Sequence, residues 1–212
     1  MTFPEASPRR PRGIVVAVAA ASYLMVWIVA AIAPIDRFDW FLENLLVFAL
    51  VAPLLATYRR FPLSEASYLC MLAFLVMHAV GAHYTYSRVP PGFAASELFG
   101  FTRNHYDRVA HFMFGLLFAC PVREVLRRTS NLRGARLAFV TVALLLAASA
   151  GYELVEWWVA LVVDPQAAYA YLGTQGDVFD SQKDESLALA GAVVSVALTA
   201  AVARLRDGRR PR

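Results

Sequence analysis

Charge is scarce in this sequence: only 17% of its 212 residues are Asp, Glu, Lys or Arg, while 59% are hydrophobic. An ordinary soluble domain carries about 25% charged residues, so the shortage excludes one. Cysteine is nearly absent as well. Cys70 and Cys120 have neither C-x-x-C nor zinc-finger spacing, which excludes a thiolate metal site and leaves them as small apolar core residues. No repeat and no low-complexity linker interrupts the chain, so one domain is expected.

What is present is apolar length. Windows of about 20 residues, enough to cross roughly 30 Å of hydrocarbon, recur along the chain. Six are expected as helices, over Gly13 to Ala33, Asp39 to Thr57, Ser64 to Tyr84, His105 to Leu126, Leu137 to Val159 and Glu185 to Leu205. The first follows "SPRRPRG" and superficially suggests a signal peptide. Its apolar run is too long for one, and no clear small-x-small site precedes a mature soluble domain. The fold class is therefore all-α, a polytopic six-helix transmembrane bundle over 13–206, with basic tails over 1–12 and 207–212.

Arginine sets the expected orientation. Fifteen of the twenty basic residues fall at one end of the helices, including Arg9, Arg10, Arg12, Arg59 and Arg60, those from Arg123 to Arg136, and those from Arg204 onward. Arg37, Arg88, Arg103, Arg108 and Lys183 fall at the other. Basic residues concentrate in short cytoplasmic loops, which predicts both termini in the cytoplasm. The net charge of +4 is then an orientation signal and needs no nucleic-acid partner.

The remaining charge is concentrated in three stretches. "FTRNHYDRVAHF" at 101–112 places Arg103, His105, Asp107, Arg108 and His111 ahead of an apolar run, "GYELVEWW" brings Glu153 and Glu156, and "GDVFDSQKDE" brings Asp177, Asp180 and Asp184. At 1.5 Å per residue, His78 lies about 21 Å up the third span, His111 about 9 Å below His105, and the two glutamates about 24 to 29 Å up the fifth. Glu43 sits just inside the same end of the second span. Five helices thus direct His or carboxylate groups to one outer level, while the cytoplasmic charges are almost all arginine. Intramembrane ionisable residues face a bundle interior or a water cavity and mark function by default.

Each element also has a structural reading. His105 and Asp107 suit a helix start, and a solitary His111 could hydrogen-bond across helices. Glu153 and Glu156 must share a proton, meet Arg103 or Arg108, or bind a cation. Ser181 to Asp184 fits a capping box, Asp180 fits an N-cap, and Ala188, Gly191 and Ser195 continue that face with small residues. Trp40, Tyr84, Tyr86, Trp157 and Trp158 read as an outer aromatic belt, and Pro53 and Pro121 as kinks or ends of their helices.

The constellation supports several chemistries. His78, His83, His105, His111, Glu153 and Asp180 are candidate ligands for a divalent metal ion, though neither H-E-x-x-H nor the Glu-x-x-His pattern of di-iron bundles is present. Without metal, His111 oriented by Asp107, with Arg108, Glu153, Glu156 and Asp184, is a candidate acid/base site for a lipid or lipid-linked headgroup. A proton-coupled transporter needs a polar path inward, which the cytoplasmic half lacks. A non-catalytic scaffold would use the same groups only to hold helices together, at about 0.6 kcal/mol per interhelical bond.

"RNHYDRVAHFMFGLL", "GYELVEWW" and "GDVFDSQKDESLALAGA" together resemble the YjdF-like family of uncharacterised inner-membrane proteins, over nearly the whole chain. The resemblance implies a six-helix bacterial inner-membrane protein and carries no established activity. A more distant pattern is similar to VanZ-like membrane proteins, matched at Asp107, His111, Glu153 and Asp184. It is departed from at Arg108, Glu156 and Ala188, where Lys, Gln and Asn would be expected. The expected partners are membrane lipids and a lipid-linked substrate. The sequence names no oligomeric state and leaves open whether the protein is an enzyme.

Overall fold

The computed structural model describes residues 13–207, so the tails expected over 1–12 and 207–212 lie outside the described residues except for Asp207, which ends the last helix. Eight helices follow in order: α1 (Gly13–Ala31), α2 (Arg37–Thr57), α3 (Glu65–His83), α4 (Pro90–Phe99), α5 (Tyr106–Thr129), α6 (Gly134–Ala160), α7 (Pro165–Leu172) and α8 (Asp180–Asp207). Six of them are long and apolar enough to cross a membrane, and no strand occurs among the described residues. Their outward faces carry large apolar side chains such as Ile14, Phe48, Phe139 and Leu198, the surface a membrane-spanning bundle presents to lipid.

Local chemistry sets the ends. Asp36 accepts the N–H groups of Phe38 and Asp39 and starts α2 two residues before the expected position, and Ser64 caps α3 by accepting from Ser67. α1 stops at Ala31, short of the expected Ala33, which adopts a positive φ of 49°. The last span differs most. α8 begins at Asp180, five residues before the apolar window, because Asp177 Oδ1 accepts the Phe179 N–H at 3.1 Å just outside the helix. Ser181 therefore lies inside the first turn and is no capping-box residue. Neither proline ends its helix, for α2 and α5 continue past Pro53 and Pro121.

The short helices α4 and α7 were not expected. Both start with proline in the first turn and end on a left-handed glycine, Gly100 and Gly173. That pairing is a recognised start and stop signal. They lie in the α3–α5 and α6–α8 connections, which alternation of the six long helices places at one end of the bundle.

α5 is the central helix and packs most extensively on α8, then on α3, while α1 leans on α3 and α6 on α8 and α5. The α5–α8 crossing is set by two glycines. A Cβ on Gly115 would collide with the backbone of Ala188 and Ala192, and a Cβ on Gly191 with that of Phe112 and Leu116. Small residues thus bring the two backbones into contact. An apolar core of Leu63, Tyr68, Met71, Phe118, Leu145 and Ala192 fills the half of the bundle away from α4 and α7.

That half also holds a carboxylate bonded across two elements, Glu124. Glu124 accepts from Ser64 N–H at 2.9 Å, Ser64 Oγ at 2.7 Å, Ser67 Oγ at 2.6 Å and Arg128 at 3.2 Å. Arg128 donates to the Pro62 carbonyl at 2.6 Å and lies 3.7 Å over the Phe61 ring. This ties the α2–α3 connection to α5, a structural lock.

Candidate functional site

The charges of "FTRNHYDR" are largely consumed in clamping two connections together. Buried Arg103 holds Asp180 with both terminal nitrogens and donates to the Thr174 carbonyl at 3.2 Å. Arg108 reaches Asp177 at 2.5 Å and Asp180 at 3.1 Å, and Lys183 reaches Asp177 at 2.6 Å. Asn104 N–H donates to Gln175 Oε1 and Gln175 Nε2 returns a bond to the Asn104 carbonyl, each 2.9 Å. The Asn104 amide also accepts the Tyr106 N–H at 3.0 Å and donates to the Val89 carbonyl at 2.9 Å, which fixes the start of α5. Arg103 and Arg108 therefore partner the aspartates at the entrance of α8, and the expected pairing with Glu153 and Glu156 is not made. Lys183, the Phe179 N–H and Arg108 hold the Asp177 carboxyl well below the usual carboxylate range.

Within the bundle beyond this clamp lies a second cluster. His111 Nε2 stands 3.4 Å from Glu153 Oε1 and 3.7 Å from Asp107 Oδ1. His111 Nδ1 is 3.3 Å from Ser149 Oγ. Asp184 is only 2% exposed, and its Oδ1 has no hydrogen-bond partner. Asp107, His111 and Asp184 offer ligand atoms that all lie within 4.8 Å of one another. No Lys or Arg among the described residues pairs with Asp107, Glu153 or Asp184. Glu156 lies half-buried one turn along α6 from Glu153.

The other three histidines are engaged elsewhere. His78 Nε2 is 3.3 Å from the Glu43 carbonyl, which can only accept, and Tyr86 Oη is 2.6 Å from His78 Nδ1. One neutral tautomer satisfies both contacts, with Nε2–H donating and Nδ1 receiving the tyrosine hydroxyl. His83 Nδ1 donates to the Ala30 carbonyl at 2.9 Å in the seam between α1 and α3. His105 Nδ1 accepts from Arg108 at 3.3 Å, and burial together with Arg108 and Arg103 pushes its pKa down. Only His111 joins the carboxylates, and Asp180, a metal candidate from the sequence, is occupied by the arginines.

Between α2, α3, α5 and α6 runs a cavity of about 240 Å³. His78, Tyr86, Asp107, His111, Ser149 and Tyr152 supply its polar lining, and the rest of the wall is Leu, Val, Ala and Phe. Tyr152 Oη donates to Glu43 Oε2 at 3.1 Å, bridging α6 to α2. Below that bridge the lining residues Leu46 of α2 and Ala148 of α6 are both exposed, so the cavity wall is open between these helices.

The model of the family described as predicted membrane protein (DUF2238) matches residues 15–205, which takes in the sequence from α1 to α8. The chain belongs to the DUF2238 family. It is 39% identical over 189 residues to inner membrane protein YjdF of Escherichia coli (strain K12), covering 89% of this chain and 90% of that one. No solved structure matches the chain. This DUF2238 protein is accordingly a multi-pass inner-membrane protein, as the YjdF-like resemblance implied. The VanZ-like pattern is carried by its four positions alone.

Several residues of the DUF2238 cavity went unread in the sequence. Ser149, Tyr152, Glu153 and Glu156 are spaced i, i+3, i+4 and i+7 on α6, one polar stripe on an otherwise apolar helix. That stripe was the available signal for Ser149 and Tyr152. Tyr86, expected in the aromatic belt, instead turns inward to His78, whereas Trp157 and Trp158 are 55% and 56% exposed, as a belt requires.

Proposed function

We propose that this DUF2238 protein binds an envelope lipid or lipid-linked molecule in the α2–α6 cavity and acts on its headgroup at the His111 end. The observation that carries the reading is the cavity itself, with apolar walls that suit an acyl or prenyl chain, polar groups at His78, Asp107, His111 and Tyr152, and a side opening through which a lipid enters from the bilayer. Lipid-facing apolar surface flanks that opening on both helices. By the arginine asymmetry, the headgroup end faces away from the cytoplasm.

His111 and Asp107 are the acid/base candidates. Ser149 fixes one ring nitrogen and leaves Nε2 directed at the carboxylates and the cavity. The scaffold reading applies to the Arg103, Arg108, Asp177 and Asp180 clamp, where every charge has a partner across two connections. It does not account for Asp184, whose buried Oδ1 has none.

The test is lipid retention. Native mass spectrometry of the detergent-purified protein is expected to show a co-purifying amphiphile that is lost in Ala148→Trp, which fills the opening, with the thermal midpoint preserved. His111→Ala and Glu153→Gln should keep abundance and retain the bound amphiphile while losing turnover of it. Equal lipid occupancy in wild type and Ala148→Trp would sink the reading.

A further inference from the structure

We propose that Asp107, His111 and Asp184, with Glu153 as a fourth donor, form a binding site for a divalent first-row metal ion of the zinc or manganese class. The inference rests on the lipid reading for its location and changes its chemistry, making His111 and Asp107 ligands in place of an acid/base pair, but its geometry stands without any lipid. One imidazole and two carboxylates from α5 and α8 offer donors within 4.8 Å of one another, and Glu153 of α6 places an oxygen 3.4 Å from His111 Nε2, a donor set that suits these ions.

The distances carry the argument. The separations of 3.4 and 3.7 Å from His111 Nε2 to Glu153 and Asp107 exceed those of a normal N–H···O bond. They resemble the edge, about 3.4 Å, of a tetrahedron whose centre lies about 2.1 Å from each donor. Asp184 adds a second, independent observation. Its carboxylate is almost fully buried with Oδ1 unpartnered, yet it offers an oxygen within 4.8 Å of both the His111 and the Asp107 donors. A buried oxygen left without a partner is costly, and an ion at the centre of the group would satisfy it.

The surroundings agree. The cationic side chains nearest in the fold, Arg103 and Arg108, are already held by Asp177, Asp180 and the Thr174 carbonyl. Ser149 contacts His111 Nδ1 at 3.3 Å, the outer-shell contact that orients a ligating ring. Asp107 and His111 also line the cavity, so an ion there would keep one face open to an oxygen-bearing headgroup, as catalytic sites do and closed structural sites do not.

The full chain, purified in detergent and stripped with chelator, is titrated with Zn²⁺ and separately with Mn²⁺. Bound ion is read by elemental analysis after desalting, alongside the thermal midpoint. One ion per chain is expected, with a raised midpoint and an affinity that falls on acidification as the donors take up protons. Asp184→Asn and Asp107→Asn, which preserve shape, should each weaken binding at least about 100-fold, and Ser149→Ala about 10-fold. His83→Ala and His105→Ala should bind as the wild type does. The proposal is overturned if neither ion binds stoichiometrically or shifts the midpoint, or if Asp184→Asn and Asp107→Asn bind with unchanged affinity. Co-purified lipid is measured without added metal, so either reading can fail alone.

Discussion

Asp177 shows how one surface carboxylate can organise a membrane-protein rim. It accepts from Lys183, Arg108 and the Phe179 N–H, and these partners depress its pKa. The folded value lies below the unfolded one, near 3.9, so its contribution is fully present above that unfolded value. It is lost as the pH falls toward the folded value. The thermal midpoint in detergent should therefore drop below about pH 4, and Asp177→Asn should lower the midpoint at neutral pH while flattening that acid limb. An acid limb unchanged in Asp177→Asn would show that the clamp does not depend on this charge. At the same scale, Asp184 is the contrasting case, a carboxylate with an oxygen that no side chain answers.

At the scale of elements, the site exists because α5 and α8 touch backbone to backbone. Gly115 and Gly191 leave no room for a Cβ, and Asp184 lies on α8 seven residues before Gly191, two turns along the face toward α5. Gly191→Val should separate the helices and cost roughly 3 kcal/mol or more, since the obstructing atoms are backbone that cannot rotate away. The thermal midpoint should fall, and Asp184 should leave the His111 group. Gly151→Ala, where an added Cβ meets nothing within 4 Å, is the control and should be nearly silent, unlike Gly191→Ala. Equal effects at both glycines would remove the special status of the crossing.

For the whole molecule, the expected topology puts the α4 and α7 end outside and both termini in the cytoplasm. A cysteine placed at Gln175, in a background with Cys70 and Cys120 replaced, should react with an impermeant thiol reagent in intact cells. Reaction only after the inner membrane is opened would invert the molecule and put the headgroup end of the cavity in the cytoplasmic leaflet. The fold would survive that result, because the packing of six long helices is indifferent to which end is out. The assignment of substrate would not.

The sequence by itself determined the class of the molecule, its six spans, its family and the level at which polar residues gather, because these depend on composition and on distance along a helix axis. It also contained the Pro and Gly signals of α4 and α7, hidden because windows tuned to long apolar runs pass over helices of ten and eight residues. Only the tertiary structure decided which charge meets which. Arg103 and Asp180 are 77 positions apart, and the meeting of His111 with Glu153 and Asp184 depends on how α5, α6 and α8 are rotated about their axes. In a soluble helix the apolar stripe reports that rotation. Here lipid and core are equally apolar, so the stripe is faint, and the rotation is set by where small residues allow two backbones to touch.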